Sequence, residues 1–433
     1  MKKVKLKQVL KNYKNKHMIQ NDKTYRQVTI SQTGEVSFRG EKHGLKIGRK
    51  RQFLIDLKNH PNTLIFIRQG VMKGGIGICP SEVDGCVVTE NMPMFDIIDI
   101  NPDYLRNFIK SPLFKEDVSK LVPVGTAQKA LHENKLLEIE IPCPPEEKQE
   151  EIVQKIQSIE KEVKQLEGKS VYDKTLLQKL RQAILQEAVQ GKLVPIDPKD
   201  ESATVLLERI KKEKENLIEK KKIRKEKPLP PIEEKEVPYE LPKGWGWCRL
   251  GDVILSDIGG GTPSKNKNEY WNGDIYWASV KDLNEKTYLT KTQDTITELG
   301  LKNSSSNLVP KENVIICTRM GLGKILINKI DVAINQDLRA IFLSDLMSQR
   351  YFYDFYRTLN FVHSGTTVSG IRREKLLAIL FPLPPLSEQK RIVEKVDKLM
   401  KLCNELEDKI NQNKIYAEKL VNAILREVFE DEK

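Results

Sequence analysis

The sequence predicts an α+β fold in which two mixed α/β domains are separated by two long helices packed as an antiparallel coiled coil. Three observations predict it. First, Pro142-Cys143-Pro144-Pro145-Glu146-Glu147-Lys148-Gln149 returns about 240 residues later as Pro382-Leu383-Pro384-Pro385-Leu386-Ser387-Glu388-Gln389. The match continues without a gap: Leu136-Leu137 answers Leu376-Leu377, Ile152-Val153 answers Ile392-Val393, and Ala183-Ile184-Leu185 answers Ala423-Ile424-Leu425. Second, an apolar stripe at alternating steps of four and three follows each copy. Third, a β-rich segment precedes each copy. A period this long exceeds any solenoid repeat and indicates a duplicated domain plus helix.

The triple-proline joint has a mechanical reading. Proline neither donates to a ladder nor continues a helix, and it holds the residue before it extended. Each joint therefore ends a strand (139–141; 379–381) and delivers the chain to a helix, with Ser387 predicted as N-cap and Glu388 in the first turn.

In chain order, residues 1–145 read as the first domain. Short strands at 25–30, 35–38 and 63–67 lie between Gly, Asn and Asp signals. Residues 102–110 have helical spacing, with Tyr104, Leu105, Phe108 and Ile109 on one face. The first long helix occupies 146–191. Its predicted seam is Ile152, Ile156, Ile159, Val163 and Leu166, interrupted at Ser170 and Asp173 and resumed at Leu177, Leu180 and Ile184, with Gly191 as the stop. Residues 192–235 read as a helical, charged linker ending in the stiff Lys227-Pro228-Leu229-Pro230-Pro231. The second domain, 236–385, opens on Leu241-Pro242-Lys243-Gly244-Trp245. Residues 250–255 form a strand or short helix, and Gly259-Gly260-Gly261-Thr262-Pro263 a loop with Tyr270-Trp271 and Trp277 behind it. The second long helix, 386–433, repeats the seam at Ile392, Val396, Leu399, Cys403, Leu406 and Ile410, then Leu420 and Ile424. Neither stripe is stable in water, and return through a compact domain makes the pairing antiparallel. Residues 62–68 align with 313–319, and the earlier offset returns at Gly125-Thr126 and Gly365-Thr366, so the first domain carries roughly eleven extra residues between these landmarks.

Composition narrows the function. The 433 residues carry a net charge of +12, and residues 1–51 hold fifteen Lys and Arg against three acids. Such a segment favours a polyanion, usually nucleic acid. The six cysteines show no CxxC pair and no zinc spacing with the five histidines, which predicts free thiols in a reducing cytosol. No apolar run reaches the length of a membrane span, so the expectation is a soluble cytoplasmic protein.

No catalytic constellation emerges. Asn101-Pro102-Asp103-Tyr104 superficially matches the Asn-Pro-Pro-Tyr of amino-methyltransferases, but has Asp for the second Pro and no glycine-rich cofactor loop upstream; it reads as a helix start. Neither Gly259-Gly260-Gly261-Thr262-Pro263 nor Met320-Gly321-Leu322-Gly323-Lys324 is a phosphate-binding loop. Glu233-Glu234-Lys235 sits in a charged linker with no strand to present it. No metal site is predicted either.

Binding chemistry remains. Reading duplex DNA needs cations on phosphates and Arg, Lys, amide and hydroxyl groups at base edges. The first domain offers Arg26, Arg39, Lys46, Arg49, Lys50, Arg51, Arg68 and Lys73. The second offers Thr262, Lys265, Lys267, Lys281, Arg319, Lys324, Thr366, Thr367, Arg372 and Arg373. Singly, each is more ordinary as surface or loop cap; only the grouping carries weight.

These residues together resemble the specificity subunit of Type I restriction–modification systems over essentially the whole chain. The resemblance rests on the twin Pro-x-Pro-Pro joints with Glu388-Gln389, the helix end running from Ala183-Ile184-Leu185 to Gly191-Lys192-Leu193-Val194-Pro195, and Leu206-Leu207-Glu208-Arg209-Ile210. Leu241-Pro242-Lys243-Gly244-Trp245 and Gly260-Gly261-Thr262-Pro263 with Tyr270-Trp271 and Trp277 complete it. Two departures stand out: Glu146-Glu147-Lys148-Gln149 replaces Leu-x-Glu-Gln, and the first domain lacks the Trp and Gly-Gly-Thr-Pro features of the second. The resemblance implies two target recognition domains with pseudo-twofold symmetry, each reading half of a split, asymmetric double-stranded DNA target. The helices would be a ruler for the spacer. Partners would be two modification (methyltransferase) subunits and restriction subunits, with S-adenosylmethionine, ATP and Mg2+ on those partners and no cofactor or catalysis in this chain. Competing readings are a coiled-coil scaffold that never touches DNA, the specificity subunit of a modification-only system, and a stand-alone methyltransferase or nuclease.

Overall fold

The computed structural model describes residues 2–48, 51–121, 130–284, 286–361 and 370–430. The chain divides into two compact units, Met1–Asp173 with Lys409–Lys433, and Lys174–Asp408. The landmarks Gly125-Thr126 and Gly365-Thr366 lie outside the described residues.

In the first unit a four-stranded antiparallel sheet runs in the order Leu10–Tyr13, Met94–Ile97, Thr63–Phe66, Ile76–Ile78. The central strand Thr63–Phe66 is buried along its length, as its unbroken apolar run requires. Helix Pro102–Lys110 packs Tyr104, Leu105, Phe108 and Ile109 into the same core. It starts where it does because the Asn101 side chain accepts from the amides of Asp103 (2.9 Å) and Tyr104 (3.2 Å), with proline at the first helical position. The Asn-Pro-Asp-Tyr segment is thus a helix cap. A second sheet orders Lys16–Met18, Arg51–Leu54, Val87–Val88, Thr24–Ile30 and Val36–His43.

The second unit repeats the first sheet's strand order in Ile254–Gly259, Leu338–Leu343, Asn313–Cys317 and Ile325–Asn328, and adds Tyr288–Leu289 in parallel at the edge. Thr63–Phe66 and Asn313–Cys317 occupy the same place, as their sequence alignment predicts. A four-stranded sheet of Asp294–Ile296, Trp271–Ala278, Val332–Ile334 and Asn307–Val309 stands beside it. Residues 250–255 resolve into a short helix, Leu250–Val253, followed by the strand Ile254–Gly259.

The two joints agree atom for atom. Gln149 Nε2 donates to the Pro144 carbonyl (2.8 Å) and its Oε1 accepts from the Asn101 amide (2.9 Å); Gln389 does the same with Pro384 (3.0 Å) and Ser348 (2.9 Å). Tyr104 Oη donates to Pro142 O and Tyr351 Oη to Pro382 O, both at 2.9 Å. Each glutamine therefore ties the start of a long helix to the cap of the domain helix. Two local expectations are corrected. The strands run into the prolines, as Glu140–Pro142 and Leu380–Leu383, because a two-stranded ribbon leaves one side free of ladder bonds and tolerates a missing N–H. Ser387 is not the cap: the helix begins at Leu386, and the Ser387 hydroxyl turns to Asp200.

The long helices are Glu146–Val189 and Leu386–Phe429, 44 residues each. In the first unit Ile152, Val153 and Ile156 share a core with Leu425 and Phe429; in the second, Leu177, Ile184 and Leu185 share one with Ile392, Val396 and Cys403. Early residues of one helix meet late residues of the other, so the helices run antiparallel. Ile159, Val163, Leu399, Ile410 and Ile424 are half-buried. Four predicted seam positions are wrong: Leu166, Leu180, Leu406 and Leu420 are 58%, 46%, 48% and 53% exposed. A straight helix drifts about 20° per heptad from a seven-residue repeat, so a seam projected over 44 residues leaves the contact face. Leu185 and Ala188, one position off the projected phase, and Val189, two off it, are buried in its place. Gly191 stops the first helix at φ +69°, with Lys192 N donating to Glu187 O (3.0 Å).

Residues 192–235 fall within the second compact unit. Helix Ala203–Glu219 buries Leu206 and Ile210 in its core, and the Arg249 guanidinium donates to the carbonyls of Pro230 (3.1 Å) and Pro231 (2.8 Å).

Candidate nucleic-acid interface

The strand Ile254–Gly259 ends in a loop that only glycine permits. A Cβ on Gly260 would sit 1.9 Å from Ile334 O, and one on Gly261 2.6 Å from the Ser305 backbone. The loop is held from behind by two indoles, Trp277 Nε1 donating to Gly261 O (3.2 Å) and Trp271 Nε1 to Ser264 O (3.1 Å), their rings edge-to-face at 5.1 Å. Thr262 is thereby set against Gln336, hydroxyl to side-chain carbonyl oxygen.

In front of this loop lies an open cleft of about 650 Å³. Thr262, Lys265 and Asn268 come from one segment, Ser279 and Lys281 from the end of strand Trp271–Ala278, and Asn335, Gln336 and Asp337 from the turn before Leu338–Leu343. Met320 closes one side, 59% exposed. Arg319 stands exposed nearby, its Nε 3.7 Å from Asp337 Oδ1. Amide, hydroxyl, carboxylate and ammonium groups on one concave wall are the groups that discriminate base edges.

The predicted cations divide into free and engaged. Thr262, Lys265 and Lys281 line the cleft. Lys267 lies over the Tyr270 ring and donates to its hydroxyl (3.0 Å), a bond that raises the lysine's pKa. Lys324 is exposed but lines a separate groove with Arg350 and Arg357. Arg372 is exposed. Arg373 is not free: it donates to both oxygens of Asp257 and to Glu226. Burial pushes the Asp257 carboxyl up, but the Arg373 and Arg339 guanidinia outweigh it and hold it below the usual range. In the first unit Arg68 is likewise closed into a bidentate pair with Glu133 (2.8 and 2.9 Å), and Arg26 donates to the carbonyls of Asp84 and Glu82 while covering Phe38. Arg39, Lys46 and Lys73 are exposed. Arg51 opens the strand Arg51–Leu54, and Arg49, Lys50, Thr366 and Thr367 lie outside the described residues. The structure therefore corrects Arg68 and Arg373 as free phosphate ligands.

Sequence reasoning missed Asn335-Gln336-Asp337. The available signal was a polar tripeptide between the apolar runs 332–334 and 338–343. Among the described residues no cluster of three His, Cys, Asp or Glu is arranged to hold a metal ion, and no helix is long and apolar enough to cross a membrane.

Residues 242–414 match the model of the Type I restriction modification DNA specificity domain. The chain is 29% identical over 394 residues to the Type I restriction enzyme EcoAI specificity subunit of Escherichia coli, across 77% of this chain and 64% of that protein. It is 36% identical over 173 residues to the EcoR124I/EcoR124II specificity subunit of the same organism, across 37% of this chain and 42% of the relative. The chain thus spans less than two thirds of these relatives' length. Among solved structures, a chain from a study of complex assembly and conformational transition of the type I R-M system superposes with a TM-score of 0.66 at 19% identity, covering 100% of this chain and 98% of that one. The HsdS subunit from Thermoanaerobacter tengcongensis gives 0.53 at 19%, covering 99% and 96%. At that identity the superpositions establish the fold. The family resemblance read from the sequence is borne out.

Proposed function

We propose that this chain, a relative of the Type I restriction–modification specificity subunits, is the DNA-recognition subunit of such a complex and binds a split, asymmetric double-stranded target. Each unit reads one half, and the paired helices fix the distance between halves as a geometric quantity. Two weak readers on a rigid spacer gain affinity through effective concentration. Catalysis belongs to the partners: modification subunits methylate adenine with S-adenosylmethionine, and restriction subunits supply ATP- and Mg2+-dependent cleavage. This chain contributes no catalytic group.

The observation that carries this reading is the pairing of a duplicated scaffold with unduplicated surfaces. The sheet order and both glutamine joints repeat, yet among the described residues the Gly-Gly-Thr-Pro cleft with its Asn335-Gln336-Asp337 wall is found in the second unit and not the first. A repeat conserved in its frame and divergent in its recesses suits two different half-sites. The test is to co-express the chain with its modification subunit and map methylated adenines. The expected motif is split, asymmetric and of fixed spacing; a continuous short motif, or no methylation, overturns the reading.

A further inference from the structure

We propose that residues 220–227 form a second DNA-contacting surface that holds the phosphate backbone beside the cleft and reads no sequence. The inference rests on the DNA-recognition function proposed above. Lys220, Lys221, Lys222, Arg224, Lys225 and Lys227 put six cations into eight residues. All six are exposed, and among the described residues no carboxylate lies within ion-pair distance of any of them. The one acid of the run, Glu226, is itself 43% exposed, its two oxygens occupied by Arg373 Nη1 (3.0 Å) and Nη2 (2.9 Å). The run therefore presents a face of six exposed cations whose one acid is already paired with Arg373.

The run is also fixed in place. On its N-terminal side helix Ala203–Glu219 is anchored by the Lys214 ammonium, which donates to the carbonyls of Gly251 (3.0 Å) and Ile254 (2.9 Å). On its C-terminal side Arg249 holds the Pro230 and Pro231 carbonyls. Where the helix ends, Lys221 adopts φ +56° and Lys222 N donates to Leu217 O (2.9 Å), a left-handed cap normally given to glycine. A lysine occupies a position where its side chain is a conformational burden.

Its placement points to DNA. Glu226 joins Arg373, Arg373 joins Asp257, and Asp257 joins Arg339, whose guanidinium lies beside Gly259. Asp257 and Gly259 belong to the strand that delivers Thr262 to the cleft. Asp257 is at most about 17 Å from Thr262, the span of five extended residues, and the run lies one Arg373 side chain beyond Asp257. A duplex in the cleft would carry one charge per about 1.7 Å of axis past this face. Arg373 and Arg339 are consumed inside the unit, so the run adds positive charge to that of Lys265 and Lys281 in the cleft.

The experiment uses the full chain and a random-sequence duplex, with affinity measured by fluorescence anisotropy across a KCl series. One variant replaces Lys220, Lys221, Lys222, Arg224 and Lys225 with Gln. A second is Lys221→Gly alone, which removes one charge while relieving the left-handed lysine and so stays folded. Each lost phosphate contact removes about 0.9 from the log–log salt slope. The expected results are a slope shallower by about 3 or more and affinity at least about tenfold weaker for the multiple variant, a slope shallower by about 1 for Lys221→Gly, and an unchanged methylated motif on co-expression. A wild-type slope in either variant overturns the proposal, as does loss of an acidic protein partner with DNA binding intact. If wild type itself shows no salt-sensitive DNA binding, the DNA-recognition reading falls first, which separates the two failures.

Discussion

At the residue scale the second unit contains a buried titratable group that does not line the Thr262 cleft. Asp354 is 1% exposed; its Oδ2 has no hydrogen-bond partner, and Arg350 reaches the other oxygen only at 3.7 Å. Burial drives its carboxyl up to about 7, against the pull of Arg350 and Arg357 and with a small push from Asp397. The folded state therefore holds a proton that the unfolded chain releases near the ordinary aspartate value. Stability contributed by the neutral form is complete below that value and is lost as pH rises to about 7. Urea denaturation of wild type should show stability falling by as much as about 4 kcal/mol across that window, at about 1.36 kcal/mol per unit. Asp354→Asn, neutral at every pH, should flatten that fall, and an unchanged slope would reassign it to another group. The same scale divides the cations. Lys265 and Lys281 face the cleft, whereas Arg68 and Arg373 serve the fold, and no local feature of the sequence separates the two kinds.

At the element scale the two long helices were legible in length, position and stop signal. Their period gave Ile152, Ile156, Leu177, Ile184, Ile392, Val396 and Cys403 as buried seam. It failed at Leu166, Leu180, Leu406 and Leu420 because periodicity fixes a stripe locally, while contact with a partner selects the phase over 44 residues. Under the proposed function the helices set the spacer. Deleting one heptad from either helix shortens it by about 10 Å, about three base pairs. Methylation mapping should then report a shortened spacer or no modification at all, and an unaltered spacer would remove the ruler from the proposal.

At the scale of the whole molecule the two units are separately built, each with its own sheets, core and joint. Under the proposed function, recognition by two such units should be separable. Gln336→Ala removes one amide from the wall of the second unit's cleft, and losing one good base contact relaxes discrimination by about 1–3 kcal/mol at that base pair. Mapping of methylated sites should find degeneracy confined to one half of the motif, and degeneracy in both halves would contradict independent readers.

The sequence by itself determined the duplicated joint, the helix start at Asn101, the stop at Gly191 and both 44-residue helices. These are encoded in residues a few positions apart, where backbone sterics, capping and helical period act directly. Only the tertiary structure decided which cations are free, that the stiff proline segment belongs to the second unit, and that Asn335, Gln336 and Asp337 share a wall with Thr262 and Lys281. Those outcomes depend on pairs such as Arg68 with Glu133 and Arg373 with Asp257, 65 and 116 residues apart, whose partners are chosen by packing rather than by any neighbouring residue.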